Sequence, residues 1–212
     1  MPFDINSINF LMMVFMITGV IATSIGGVLR ANNAKMDITG AILLAFITSN
    51  FGGTIRDLLL HAPIFWIKEQ FYIWISFTTG AISFIFIYYR GKIFTNNVLY
   101  KVLIFTDAMG IAAFCLAGVE KALSLGQNYF MAVLMGLLTA VGGGIVADII
   151  SNQIPLVLYS ELYITVALLG ALLYLFLDLF MQPAYASLIA AIFMVLLRLT
   201  CVKYKLKLPK LK

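Results

Sequence analysis

The stretch SNFGGTIRDLLLHAP, residues 49–63, sets an arginine and an aspartate side by side inside an apolar run, just after paired glycines. At an offset of 91 residues the chain repeats the pattern as AVGGGIVADIISNQIP, residues 140–155, with the aspartate kept and alanine where the arginine stood. The likeness extends outward. GVIATSIGGVLRA from Gly19 aligns with GIAAFCLAGVEKA from Gly110, and no gap is needed as far as Asp57. A one-residue shift beyond that point brings Pro63 onto Pro155 and Glu69 onto Glu161.

Composition places this duplication in lipid. Of the 212 residues 63% are hydrophobic and 11% charged, against roughly half and a quarter in soluble chains. Apolar blocks fall at 8–29, 38–60, 71–89, 101–121, 128–150, 160–179 and 183–200. Helices rising about 1.5 Å per residue need blocks of this length to cross a ~30 Å hydrocarbon core, and barrel strands do not. The sequence predicts an all-α membrane protein of seven transmembrane helices, forming one transmembrane domain over 1–200 with a basic cytoplasmic tail at 201–212. Each copy holds three spans, repeat 1 over 8–89 and repeat 2 over 101–179. Three is odd, so the second copy enters from the opposite face, and the architecture is an inverted repeat of two three-helix units. The seventh helix, 183–200, has no counterpart and reads as a peripheral brace.

Several function classes drop out. The first block is too long for a signal peptide, follows Asp4 instead of a basic cluster, and precedes no small-residue cleavage site. Cys115 and Cys201 are isolated and His61 is the sole histidine, so there is no disulfide framework, metal cluster or histidine-based triad. Asp57, Asp107 and Asp148 form no recognisable protease dyad. Neither an enzyme nor a cofactor is expected. Arg30, Lys35, Arg90, Lys92, Lys101, Arg198 and the tail lysines share one side, whereas only Lys68 and Lys121 fall on the other. That bias puts the C-terminus in the cytoplasm and the N-terminus outside. The net charge of +5 is then a topology signal near anionic headgroups, and no nucleic-acid partner is needed to explain it.

Ala45, Ser49, Gly53 and Asp57 recur at four-residue spacing, as do Gly136, Ala140, Gly144 and Asp148. Each set is one helix face of small residues ending in a carboxylate. Such a face serves close helix packing. Alternatively, the adjacent glycines, each about 1 kcal/mol worse than alanine in a helix, break the second and fifth spans at Gly53 and Gly144 and free backbone carbonyls to face water or an ion. A charge at the bilayer centre costs about 2.5–3.5 kcal/mol on insertion scales and faces water or a partner. Arg56 and Asp57 project about 100° apart on a helix, so each is expected to pair elsewhere. Glu120 and Glu161 lie near the membrane faces and read as solvated.

These features resemble the trimeric intracellular cation channel (TRIC) family, specifically its prokaryotic members, together with bacterial relatives proposed to move glycine or other small amino acids. The resemblance runs through span 6 and is carried by GVIATSIGGVLRANNAKMDITGAILLAFITSNFGGTIRDLLLHAPIFW, TDAMGIAAFCLAGVEKAL and AVGGGIVADIISNQIPLVLYSELY. It implies a seven-helix protomer, a homotrimer, and a monovalent-cation path beside kinked second and fifth helices. The family motif, Gly-Gly-Gly-x-x-Arg-Asp, falls on Gly52, Gly53, Arg56 and Asp57, and on Gly142, Gly143, Gly144 and Asp148. Phe51 and Ala147 depart from it. An aromatic at 51 is expected to narrow the path, and Ala147 to remove a positive charge and leave the path net negative.

The leading expectation is a channel for potassium and sodium. No Thr-Val-Gly-Tyr-Gly filter is present, so discrimination should be modest. Path residues are expected at Ser49, Gly52, Gly53, Arg56, Asp57, Asp107, Gly142, Gly143, Gly144 and Asp148. The alternative is a secondary transporter of glycine or another small amino acid, with a half-helix terminus holding the carboxylate and an aspartate the ammonium. Expected partners are two further copies of the chain, potassium and sodium ions, and the lipids of a prokaryotic inner membrane.

Overall fold

The computed structural model describes residues 5–90, 96–159 and 162–206. Lys92, Glu161, Lys207, Lys210 and Lys212 lie outside the described residues. The described chain is helical throughout: α1 (Ile5–Asn33), α2 (Ile38–Leu59), α3 (Phe65–Lys68), α4 (Phe71–Arg90), α5 (Asn96–Ser124), α6 (Tyr129–Ile150), α7 (Leu156–Tyr159), α8 (Tyr163–Asp178) and α9 (Pro183–Lys203). Among the described residues six helices are long and apolar enough to cross a membrane. The sixth predicted span, 160–179, emerges as the shorter α8, whose 16 residues cover about 24 Å. The one-turn helices α3 and α7 fall in stretches that the sequence reading treats as simple breaks.

Polar residues delimit α2 and α6 in matching ways. The Asp37 carboxylate accepts from Gly40 N–H at 2.8 Å to start α2, and the Asn128 side chain accepts from Met131 N–H at 2.9 Å to start α6. At the other ends His61 and Asn152 take left-handed conformations, φ 50° and 54°. There the N–H groups of Ala62 and Gln153 return to the carbonyls of Asp57 and Asp148, each at 2.8 Å. This is a Schellman-type stop, which satisfies carbonyls the helix leaves open. His61 thus belongs to a helix cap.

Both α2 and α6 run as helix without interruption through Gly53 and Gly144. The expected breaks are absent. Each backbone group freed inside lipid costs several kcal/mol, more than the ~1 kcal/mol a glycine loses to alanine in a helix. The glycines serve close approach instead. A Cβ on Gly52 would collide with the Thr139 carbonyl, and one on Gly143 with the Thr48 carbonyl. Gly52 therefore meets Thr139 where Thr48 meets Gly143, and the two helices cross antiparallel. Gly27 lets α1 touch α2, with Leu44 O only 2.6 Å from a Cβ position, and Gly118 lets α5 touch α6 at 2.6 Å from Met135 O.

α5 is the most enclosed of the six long helices, with 78% of its apolar window buried, and packs against α1, α6, α8 and α9. α4 is the least enclosed at 17%. It presents Trp74, Ile82, Phe86, Tyr88 and Tyr89 outward, a surface suited to lipid or another protomer. α9 is no peripheral brace, since its Arg198 and Met194 are completely buried.

Candidate functional site

Two ion-pair clusters lie on opposite sides of the α2–α6 crossing. At the α2 end, Arg56 Nε donates to Asp57 Oδ1 at 2.8 Å, and Nη2 stands 2.7 Å from the same oxygen. The two neighbours neutralise each other directly, contrary to the expectation from helix geometry. Their Cβ atoms diverge, but the long arginine side chain folds back over the fully buried carboxylate. Asp57 Oδ2 accepts from Phe65 N–H at 2.9 Å, which fastens α3 under α2. Phe65 in turn covers Gly53, where a side chain would strike its ring, and lies 5.7 Å from the Arg56 guanidinium.

At the α6 end the same arrangement recurs with a different cation. Asp148 Oδ2 accepts from Leu156 N–H at 2.9 Å, fastening α7, and Oδ1 accepts from Arg30 Nε at 2.7 Å. The arginine missing at 147 is replaced from α1. Ala147 itself is fully buried with Val28, Ala31 and Leu44. Arg30 also reaches Asp107, with Nη2 3.5 Å from Oδ1. Asp107 accepts from the Tyr163 hydroxyl at 2.8 Å and faces Arg198 Nη2 at 4.0 Å. The clusters together hold three arginines and three aspartates, so the expected excess of one negative charge disappears.

Arg30 sits in a narrow cavity between α1, α2, α5 and α6. Thr23, Thr48, Thr106, Asp107 and Gly144 contribute to its wall, and its volume of about 10 Å³ is room for roughly one water. Gly26 and Gly144 make the guanidinium's cradle, since Cβ atoms there would come within 3.2 and 3.6 Å of its terminal nitrogens. Across the crossing a wider vestibule of about 400 Å³ is lined in part by Arg56, Glu69, Glu120 and Lys121. Phe114 lines the cavity and Tyr72 the vestibule, and both belong to an apolar cluster with Val20.

The expected site residues divide accordingly. Asp107 and Gly144 line the cavity and Arg56 lines the vestibule. Asp148 anchors the cavity arginine, Asp57 anchors Arg56, and Gly52, Gly142 and Gly143 form the helix crossing. Ser49 turns away: its hydroxyl donates to Ala45 O at 2.8 Å and accepts from Asn50, which also donates to Ser76 of α4. Its neighbour Thr48 takes the cavity position. Phe51 packs edge-on to Phe46, 6.3 Å between centroids, and does not line the cavity. Glu120 is half-buried and accepts from Ser187 of α9, unlike a solvated face residue.

Arg30, Arg198 and Tyr163 are the residues the sequence reading misses. The apolar block stops at Leu29, which leaves Arg30 in a loop on hydropathy alone, but α1 continues to Asn33. One signal was available. Gly26 precedes Arg30 by four residues, the same small-residue-to-charge spacing that links Gly53 to Asp57 and Gly144 to Asp148. Among the described residues no group of three or more His, Cys, Asp or Glu side chains is placed to hold a metal ion.

A family model described as glycine transporter matches the chain twice, over residues 13–88 and 104–179. The chain belongs to this family. It is 36% identical over 193 residues to a UPF0126 membrane protein of Vibrio cholerae, covering 90% of this chain and 79% of that one. It is 32% identical over 196 residues to the inner membrane protein YadS of Escherichia coli K12, covering 91% and 92%. The TRIC channel orthologue of Rhodobacter sphaeroides has the same fold, with TM-score 0.83 and 32% identity over 92% of this chain and 98% of that one. The protein is a multi-pass membrane protein whose solved relatives are cation channels, not enzymes.

Proposed function

We propose that the protein conducts monovalent cations, potassium and sodium, along a path in each protomer between α1, α2, α5 and α6. The observation that carries this reading is the small threonine-lined cavity, into which Arg30 projects and where it is held by two aspartates. Carboxylates in a low-dielectric cleft attract cations, and the arginine now occupies the place a permeating cation would take. Passage requires that guanidinium to move and the apolar cluster of Val20, Tyr72 and Phe114 to part. Because the two clusters balance in charge and no ring of carbonyls strips water from ions, discrimination between potassium and sodium is modest.

The rest of the reading follows the sequence. α1, α2 and α4 form one three-helix unit, and α5, α6 and α8 an inverted second, with α8 spanning as the sixth of seven transmembrane helices. The double match of the family model, the matched caps and the matched aspartate anchors support it. The assembly is a homotrimer in a prokaryotic inner membrane, surrounded by lipid, with the N-terminus outside and the basic tail in the cytoplasm. Removing Arg30 and Arg198 from the surface count leaves that charge bias in place. The transporter alternative is not favoured, because unbroken α2 and α6 offer no half-helix terminus to a substrate carboxylate.

Purified protein in planar bilayers tests the proposal. Unitary currents are expected, with reversal potentials following potassium and sodium gradients and ignoring chloride and glycine gradients. Saturable glycine uptake without unitary currents would overturn it.

A further inference from the structure

α9 lacks a counterpart elsewhere in the chain, yet it reaches the path at two points. Its Ser187 donates to Glu120 of the vestibule, and its Arg198, with no exposed surface, faces Asp107 of the cavity. Asp107 is shared three ways. Arg30 approaches Oδ1 at 3.5 Å, the Tyr163 hydroxyl donates to that oxygen at 2.8 Å, and Arg198 stands 4.0 Å from Oδ2. Tyr163 and Arg198 are themselves joined, the guanidinium lying 4.8 Å over the ring. In a buried site opposite charges attract strongly, and a carboxylate that also serves a second cation and a hydroxyl holds the first cation less firmly.

We propose that Arg198 is a positioning residue for the path: it competes with Arg30 for Asp107 and so sets how readily the Arg30 guanidinium leaves the cavity. Tyr163 acts in the same direction. α9 thereby becomes the element through which a shift outside the two repeats changes the cavity. This deepens the channel reading and rests on it for its functional meaning.

The test uses Thr106→Cys on the cavity wall, in full-length protein with Cys115 and Cys201 replaced by alanine, reconstituted in liposomes and treated with a small cationic thiol reagent. Arg198→Gln is expected to slow modification about fivefold or more, the low end of ordinary coupling between sites, and to lower open probability similarly while leaving unitary conductance in place. Tyr163→Phe, which keeps the ring beneath Arg198, should act the same way more weakly, and it decides the matter if Arg198→Gln fails to fold. In an Arg30→Gln background neither substitution should have any effect, which a purely structural role would not predict. Unchanged rates in Arg198→Gln and Tyr163→Phe, or slowing that persists in the Arg30→Gln background, would overturn the proposal. Slowed modification that depends on Arg30, in a protein without unitary currents, would support the coupling and overturn the channel reading alone.

Discussion

Arg30 holds Asp148 at 2.7 Å and Asp107 at 3.5 Å while filling a cavity with room for about one water. Removing its charge leaves Asp148 without a cationic partner, and breaking a buried pair in this way costs about 3–5 kcal/mol. Arg30→Gln is therefore expected to lower thermal stability in detergent. Where the protein still inserts, cation conductance should rise, most clearly at low salt where screening is weakest, as read from unitary currents and reversal potentials. Ala147→Arg is expected to do something different from restoring a motif. Position 147 has no exposed surface and packs against Val28, Ala31 and Leu44, so a second guanidinium there meets an apolar wall and a carboxylate already taken. Loss of folded protein on size-exclusion chromatography is the expected outcome. A monodisperse variant with unchanged currents would show that the cluster repacks.

Among the elements, the two aspartates explain how one-turn helices persist. A four-residue helix does not nucleate alone, but Phe65 N–H and Leu156 N–H each donate to a buried carboxylate eight residues earlier, at 2.9 Å. A hydrogen bond to a charged group contributes about 1.5–3 kcal/mol. Asp57→Ala should accordingly speed amide exchange over Phe65–Lys68 by about tenfold or more, with Leu156–Tyr159 unaffected, and Asp148→Ala should do the reverse. Equal exchange in both variants would assign the short helices' stability elsewhere. The α2–α6 crossing makes a separate demand. Gly143→Ala pushes a methyl group into the Thr48 carbonyl, and overpacking of this kind costs about 1–3 kcal/mol. A lower unfolding temperature is expected, and an unchanged one would mean that the helices can separate freely.

At the scale of the whole molecule the described helices bury their charges inside a largely apolar core and are apolar without. Three arginines and three aspartates are buried, while α4 and α8 turn Trp74, Phe86, Leu172 and Phe176 outward. That surface suits lipid and neighbouring protomers alike. Native mass spectrometry from lipid nanodiscs is expected to give three chains per particle, and a single chain in both nanodiscs and mild detergent would overturn the trimer. Charge balance adds a further consequence. Asp107→Asn removes a carboxylate shared by Arg30 and Arg198 and should weaken cation selectivity, seen as a reversal potential closer to zero in a potassium chloride gradient.

Much of this was determined by the sequence alone. Hydropathy located α2, α4, α6 and α9 within a few residues, because lipid leaves a long apolar segment little choice but to satisfy its own backbone as helix. The offset of 91 residues between Asp57 and Asp148 was also plain, since matching positions carry matching caps and anchors. Spacing along one helix does not say which cation meets which carboxylate. Arg56 and Asp57 looked unpaired when only Cβ directions were counted, and Asp148 looked uncompensated because its partner, Arg30, lies 118 residues away in the chain. Arg198 looked like a topology marker until α9 packed on α5 beside Asp107. The glycines looked like breaks because propensity is local. Tertiary packing decided otherwise, since the approach of α2 to α6 needs bare backbone on both sides and an open helix inside lipid costs more than the glycines lose.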